Sequence, residues 1–334
     1  MIISRTPFRI SFFGGGTDYP QWFRQHGGAV IGATINKFCY LSVRSLPPFF
    51  EHRHRIVYSQ VELVRELAEI RHPAVRAVLS EMRVSEGLEI HHDADLPARS
   101  GLGSSSAFTV GLLNALYALH GRMVPKIELA REAIRIEQEV LRESVGSQDQ
   151  IWAAYGGINH IEFLPDGAFT VSPLVLPTAR REELEQSLVL VFTGLSRLTA
   201  EIVPEQLQQM AQHEKQLDTM RAMVDDALAI LRHRQFSARD FGALMHESWR
   251  LKRELSGRIA TPAIDEIYAT ARDAGAYGGK LLGAGGGGFM LFVVPPERRN
   301  ELRRQLARLI HVNVRFDYGG SRIVVYEPNG LDRA

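Results

Sequence analysis

Apolar positions in this chain recur at two spacings, alternate residues and the three-to-four residue step of a helix, and the two are interleaved from end to end. Strand-like runs at 1–13 and 33–44 flank a glycine turn at 14–16 and a short helix at 20–26. Helical patterns are predicted over 60–82, 107–120 and 125–142, with a strand at 87–93 and two more at 157–164 and 167–175. Residues 47–55 carry two prolines and then Glu51-His52-Arg53-His54-Arg55, which reads as a solvated loop. Beyond Pro177 and the charged segment 180–185 come an apolar strand at 187–193, long helices through 255 and a helix at 262–274. Strands at 279–283 and 288–294, a helix at 296–309 and a last strand at 322–327 complete the chain. This mixture lacks a regular βαβ alternation, so the expected class is α+β, in two domains at 1–184 and 185–334.

Composition narrows the function. Lys and Arg total 39 against 38 Asp and Glu, a formal net charge of +1, which argues against a dedicated nucleic-acid binder and makes any phosphate site a local one. The lone Cys39 can form no internal disulfide, and the chain has neither a clean signal-peptide core nor an apolar run of membrane-spanning length. A cytoplasmic protein with no nucleic-acid or membrane partner is expected. Oligomeric state has no signal in the sequence.

The richest local chemistry is at 96–107, Leu-Pro-Ala-Arg-Ser-Gly-Leu-Gly-Ser-Ser-Ser-Ala, a glycine and serine loop leading into a helix. Gly101 and Gly103 let the backbone approach a ligand, while Ser104, Ser105 and Ser106 are candidate helix caps. The amides and dipole of that first turn favour an anion such as phosphate; the alternative is a well-capped helix with no ligand. A second cluster, Lys280-Leu-Leu-Gly283-Ala-Gly-Gly-Gly-Gly288, lies between apolar strands and reads as an ordered turn, since no helix follows it as a dinucleotide fingerprint requires. Two carboxylates stand out. At about 100° per residue, Glu137 falls on the apolar arc of its helix with Ile127, Ala130, Ile134 and Leu141, so it is expected to be buried and to need a cation or strong donors. Asp149 follows twelve residues later in Gly146-Ser147-Gln148-Asp149-Gln150, a short polar loop. An arginine ion pair for Glu137 and a helix cap for Asp149 are the structural alternatives. Magnesium-assisted phosphoryl transfer uses both kinds of group, one to hold the metal and one to orient or deprotonate the acceptor hydroxyl.

Three separated segments resemble the GHMP kinase superfamily in that family's order: Pro7-Phe-Arg9-Ile-Ser-Phe-Phe-Gly14-Gly-Gly-Thr17-Asp18-Tyr19, then 97–107, then 280–288. The resemblance implies a ribosomal protein S5 domain 2-like N-terminal domain and a ferredoxin-like C-terminal domain, with ATP and acceptor meeting between them. It further implies ATP binding by Pro97, Gly101, Leu102, Gly103, Ser104, Ser105 and Ser106, and a magnesium ion beside Ser105 and Glu137. Asp149 would be the base or acceptor-orienting group, and Arg9 would lie near it and the transferred phosphate. The sugar would meet Gly15, Gly16, Thr17, Asp18, Gly285 and Gly286, with capping of the helix after Pro20 an alternative for Asp18.

One departure bears on the substrate. Where galactokinases carry a Glu in this first motif, the chain has Gly15, which removes a carboxylate and opens space for a longer or terminally phosphorylated sugar. Residues 5–20, with Thr193-Gly194 and His246-Glu-Ser-Trp-Arg-Leu-Lys252, most resemble D-glycero-D-manno-heptose 7-phosphate kinases. Such enzymes phosphorylate the anomeric hydroxyl to give the 1,7-bisphosphate on the route to nucleotide-activated heptose for lipopolysaccharide or capsule. A fucokinase-like enzyme is the runner-up, and a catalytically silent sensor of sugar or nucleotide a third reading. His52, Arg53, His54, Arg55 and Arg99 are candidates to hold a 7-phosphate.

Overall fold

The computed structural model describes residues 1–98, 100–195 and 199–328, and Arg99 lies outside the described residues. In chain order the strands are β1 (Ile2–Phe13), β2 (Gly28–Ser45), β3 (His54–Val57), β4 (Val61–Val64), β5 (Leu88–Ala94), β6 (Ile158–Phe163), β7 (Phe169–Pro173), β8 (Leu188–Phe192), β9 (Gly278–Leu281), β10 (Phe289–Val293), β11 (Ile310–Val312) and β12 (Arg322–Tyr326). The helices are α1 (Pro20–His26), α2 (Pro73–Glu81), α3 (Ser104–Leu119), α4 (Lys126–Arg135), α5 (Gln148–Tyr155), α6 (Thr178–Ser187), α7 (Thr199–Gln209), α8 (Glu214–Arg232), α9 (Ala238–Glu254), α10 (Pro262–Asp273) and α11 (Arg299–Gln305).

Two sheets organise the molecule, in keeping with the expected α+β class. An eight-stranded sheet runs β12-β1-β2-β5-β3-β4, with β6 and then β7 added along the other half of the long β2, and a four-stranded sheet runs β11-β8-β10-β9. Pairing is antiparallel throughout except for β3 with β5. β1 is buried on both faces along most of its length, which is why its sequence is nearly continuous in apolar residues. In the smaller sheet, Leu188, Leu190, Phe289, Leu291 and Val293 belong to the larger core, while Val189, Val191, Met290 and Phe292 join a second core with Trp249, Ile264 and Ile267. The period-two alternation therefore welds the small sheet to the large one through one face.

Several boundaries differ from expectation. Helix was expected across 60–82, but β4 and a short 3-10 turn occupy its first half and only α2 is helical. The loop expected at 47–55 ends early, because His54 and Arg55 begin β3. A division at 184/185 would put β12 in the second domain, yet β12 pairs with β1, and Ile35 bridges Phe316. The chain thus returns to the first sheet at its far end. No helix among the described residues is long and apolar enough to cross a membrane.

Candidate active site

A cleft of about 530 Å³ opens between the two sheets, lined by β1, the glycine and serine loop, the 142–149 segment, Lys252 of α9 and residues 280–284. Its size is that of a small-molecule site.

The loop is built by backbone approach. Gly103, with φ 75° and ψ 28°, is the N-cap of α3, and no side chain caps that helix. The three serines therefore occupy the first turn itself, with their N–H groups aimed out of the helix end. Gly101 has a φ of +82°, and a Cβ there would stand 2.5 Å from the carbonyl oxygen of Leu282; a Cβ on Gly283, φ +73°, would stand 2.5 Å from Gly101 Cα. The loop and the second glycine cluster, one from each sheet, are thus packed main chain to main chain.

Arg9 staples this loop to the opposite wall. Its backbone N–H donates to the Leu102 carbonyl at 3.0 Å and its Nη1 to the Gly101 carbonyl at 2.6 Å. Nε and Nη2 make a two-pronged pair with Asp149, both bonds at 2.7 Å. Such parallel, charge-assisted bonds fix the carboxylate's plane. Asp149 lies in the first turn of α5, not in the loop expected there. Arg9 is almost wholly buried, whereas 24% of the Asp149 side chain remains accessible from the cleft.

Asp18 forms part of the cleft wall beside this pair. Gly16 N–H donates to its Oδ1 at 2.9 Å, and Tyr19 rather than Asp18 stands at the N-cap of α1, so the capping alternative does not hold. Burial raises the carboxyl's pKa, and nearby Asp149 adds to the rise against hydrogen bonds from Gly16 and Gln148. Thr17 faces away from the cleft, its hydroxyl spent on the Gly14 and Ala29 carbonyls at 2.8 and 3.0 Å.

Glu137 is buried as its helical phase predicted, on a five-residue π-helical turn that continues α4. Ser106 Oγ donates to its Oε2 at 2.9 Å and Gln150 Nε2 donates to the same oxygen at 2.5 Å. Oε1 has no partner. Burial pushes the carboxyl up to about 7, with the hydrogen bonds from Ser106 and Gln150 opposing the shift. The alternative of an arginine ion pair does not hold among the described residues, and the serine that touches Glu137 is Ser106, not the exposed Ser105.

Other expected site residues stand elsewhere. Pro97 is exposed and Leu102 fully buried, and neither lines the cleft. Gly285 and Gly286 pack on Ile259 instead of the cleft. None of the four described candidates for a 7-phosphate lines the cleft: Arg53 bonds the Ser85 carbonyl, His54 is buried against Leu88, Arg55 pairs with Glu89, and His52 stacks on Phe50. Among the cleft residues to which the sequence assigns no role are Ser11, Gln148, Lys252 and Lys280. Lys252 had a legible signal, since it falls on the same face of α9 as the buried Phe241, Met245 and Ser248.

Comparison with known proteins gives this arrangement its class. The model described as "GHMP kinases N terminal domain" matches residues 63–157, and that described as "GHMP kinases C terminal" matches residues 227–311. The chain belongs to the GHMP kinases, and so is a phosphotransferase acting on a hydroxyl group; enzymes of this family use ATP as a substrate. It is 32% identical to a D-glycero-alpha-D-manno-heptose 7-phosphate kinase of Campylobacter jejuni, over 92% of this chain and 93% of that protein. It is 28% identical to a bifunctional fucokinase/GDP-fucose pyrophosphorylase of Arabidopsis thaliana, over 90% of this chain but only 30% of that longer protein. A crystal structure described as a D-glycero-D-manno-heptose 1-phosphate kinase from Bacteriodes thetaiotaomicron superposes with a TM-score of 0.79 at 26% identity, covering 98% of this chain and 100% of that one.

Proposed function

We propose that this chain is an ATP- and magnesium-dependent sugar kinase of the cytoplasm that phosphorylates the anomeric hydroxyl of D-glycero-D-manno-heptose 7-phosphate. The observation that carries the reading is the two-pronged Arg9–Asp149 pair, held at 2.7 Å against a loop whose helix N-terminus faces the same cleft. The first-turn amides of Ser104, Ser105 and Ser106, with Gly101 and Gly103 keeping the backbone close, receive the ATP phosphates. Asp149 orients the acceptor hydroxyl and takes its proton as the oxygen bonds to the γ-phosphorus and the bond to ADP breaks. Arg9 holds Asp149 in place and offsets charge on the transferred group. Asp18 accepts from sugar hydroxyls, and Gly15 and Gly16 leave room for the exocyclic end.

Glu137 fits a metal-holding role because it is fully buried, neighbours the cleft through Ser106 and keeps one oxygen without a partner. Glu137 and Ser106 are the residues that would hold magnesium, which when bound neutralises charge on the ATP phosphates. The unpaired, buried Cys39 accords with a reducing compartment.

A fucokinase-like reaction is the second reading, favoured by the similarity to the plant enzyme. Free sugars and sugar phosphates offered with ATP and magnesium, and followed by phosphorus NMR, test both. A new anomeric phosphate on heptose 7-phosphate is the expected result; phosphorylation of fucose alone would select the second reading, and no sugar-dependent turnover would reject both.

A further inference from the structure

Two ammonium groups in the cleft wall, Lys280 buried and Lys252 half-buried, have no part in the scheme above. Lys280, 3% exposed on β9, donates from Nζ to the Phe12 carbonyl at 3.0 Å. Lys252, in the last turn of α9, donates to the carbonyls of Leu281, at 3.1 Å, and Gly283. Among the described residues neither is paired with a carboxylate; Asp18 acts on both only through space, and Arg9 repels both. Burying an unpaired cation is costly, and a methionine would fill either position without that cost. Such groups are retained where an anion completes them.

The neighbouring wall is incomplete in a complementary way. Ser11 Oγ and Gln148 Oε1, on residues 6% and 9% exposed, have no hydrogen-bond partner. Both side chains border Gly15, where a Cβ would stand 3.6 Å from Ser11 Oγ and 3.7 Å from Gln148 Nε2. Among the described residues, the charged groups lining the cleft are Arg9, Arg142, Lys252 and Lys280 against Asp18, Glu143 and Asp149, one more cation than carboxylates. A dianionic ligand fits that excess better than a neutral sugar does.

We propose that Lys252 and Lys280 form the seat for a phosphate monoester carried by the acceptor, with Ser11 and Gln148 binding the sugar hydroxyls beside it. The assignment rests on the sugar-kinase reading and adds the residues that make the enzyme select a phosphorylated sugar. Phosphate chemistry has a second source in the cleft, the γ-phosphate of ATP, and the test separates the two.

Lys252→Met and Lys280→Met would be compared with the unaltered protein, using D-glycero-D-manno-heptose with and without its 7-phosphate. In either variant the ratio of kcat/KM for the phosphorylated over the unphosphorylated sugar is expected to fall at least tenfold. An unmoved ratio accompanied by a raised KM for ATP would assign the lysines to the nucleotide and overturn the proposal. Should a variant fail to fold, the unaltered protein still decides: inorganic phosphate should compete with the sugar phosphate and not with ATP, and competition against ATP alone overturns the seat. Turnover of sugars with no preference for the phosphorylated one would also overturn it while leaving the sugar-kinase reading intact, whereas absence of any sugar turnover defeats both.

Discussion

Glu137 and the Lys252–Lys280 pair are two regions of one site that bury charge in opposite senses. Glu137 sits behind Ser106 among neutral donors, with one oxygen unmatched and its pKa pushed up to about 7. The lysines sit in the cleft wall among carbonyl acceptors, and burial pulls both down, Lys280 to about 7. Each region is arranged as if the other half of its electrostatics arrived with a ligand: a cation at the carboxylate and an anion at the ammonium groups. Between them Arg9 and Asp149 already satisfy each other. The difference teaches that a group's unmet charge says more about its ligand than its residue type does.

The largest effect should come from breaking the self-sufficient pair. Asp149→Asn is expected to lower kcat by about two orders of magnitude or more while calorimetry finds nucleotide binding nearly intact, because proton handling changes and the phosphate loop does not. Unchanged turnover would remove Asp149 from the mechanism. Next in size is Gly15→Glu, which adds negative charge to the cleft that the lysines also line, at a position whose nearest neighbours leave 3.6 Å for a Cβ. The kcat/KM for the phosphorylated heptose should fall about tenfold, equivalent to about 1.4 kcal/mol, and that for the unphosphorylated sugar by less. Equal losses in a well-folded variant would mean that Gly15 is a backbone requirement unrelated to a phosphate.

A smaller change tests the carboxylate corner. Glu137→Gln should raise the magnesium concentration for half-maximal rate several-fold, since an amide lacks the charge of a carboxylate ligand. If only the melting temperature moved, Glu137 would be a structural group.

The subtlest test is the pH dependence of stability without ligands, where the two regions should have opposite slopes. Glu137 titrates at about 4.5 unfolded and about 7 folded, so its burial costs nothing below pH 4.5, and stability falls as pH rises to 7, by on the order of 3 kcal/mol at most. Lys280 titrates at about 10.5 unfolded and about 7 folded, so its cost is full below pH 7 and is relieved as pH rises toward 10.5. Urea melts should find the first slope flattened in Glu137→Gln and the second in Lys280→Met. Slopes that survive both substitutions would assign the pH dependence to other groups.

Much of the fold was legible because its elements follow plain periodicities: β1, β8, α3 and α10 lie close to where apolar spacing put them. The failures have local causes. β4 turns Val61 and Leu63 outward and Glu62 inward, where Glu62 accepts from Tyr58 Oη and from the amides of Arg71 and His72, so its apolar pattern points the wrong way. α5 is eight residues long and begins in a polar stretch that reads as a loop. The pairing of β12 with β1 joins residues some 320 positions apart, which no local pattern encodes. At the site, the juxtaposition of Arg9 with Asp149 was expected from motif resemblance, and the burial of Glu137 from helical phase. The lysines were passed over because a charged residue on an amphipathic helix or beside a glycine turn ordinarily faces water. Helical phase marks Lys252 as facing inward, whereas the burial of Lys280 emerges only from tertiary packing.

The contact between Gly101 and Gly283 has a consequence for how such an enzyme diversifies. Because the two loops touch there through main chain, sequence drift has few side chains to act on at the joint, and a substitution at either glycine is opposed by sterics before function is even tested. The surrounding wall is free of that constraint. Gly15, Ser11, Gln148 and Lys252 present side chains, or room for one, to whatever lies in the cleft. A lineage can thus alter what the cleft accepts by rewriting the rim, while steric crowding at the joint holds the two loops in register.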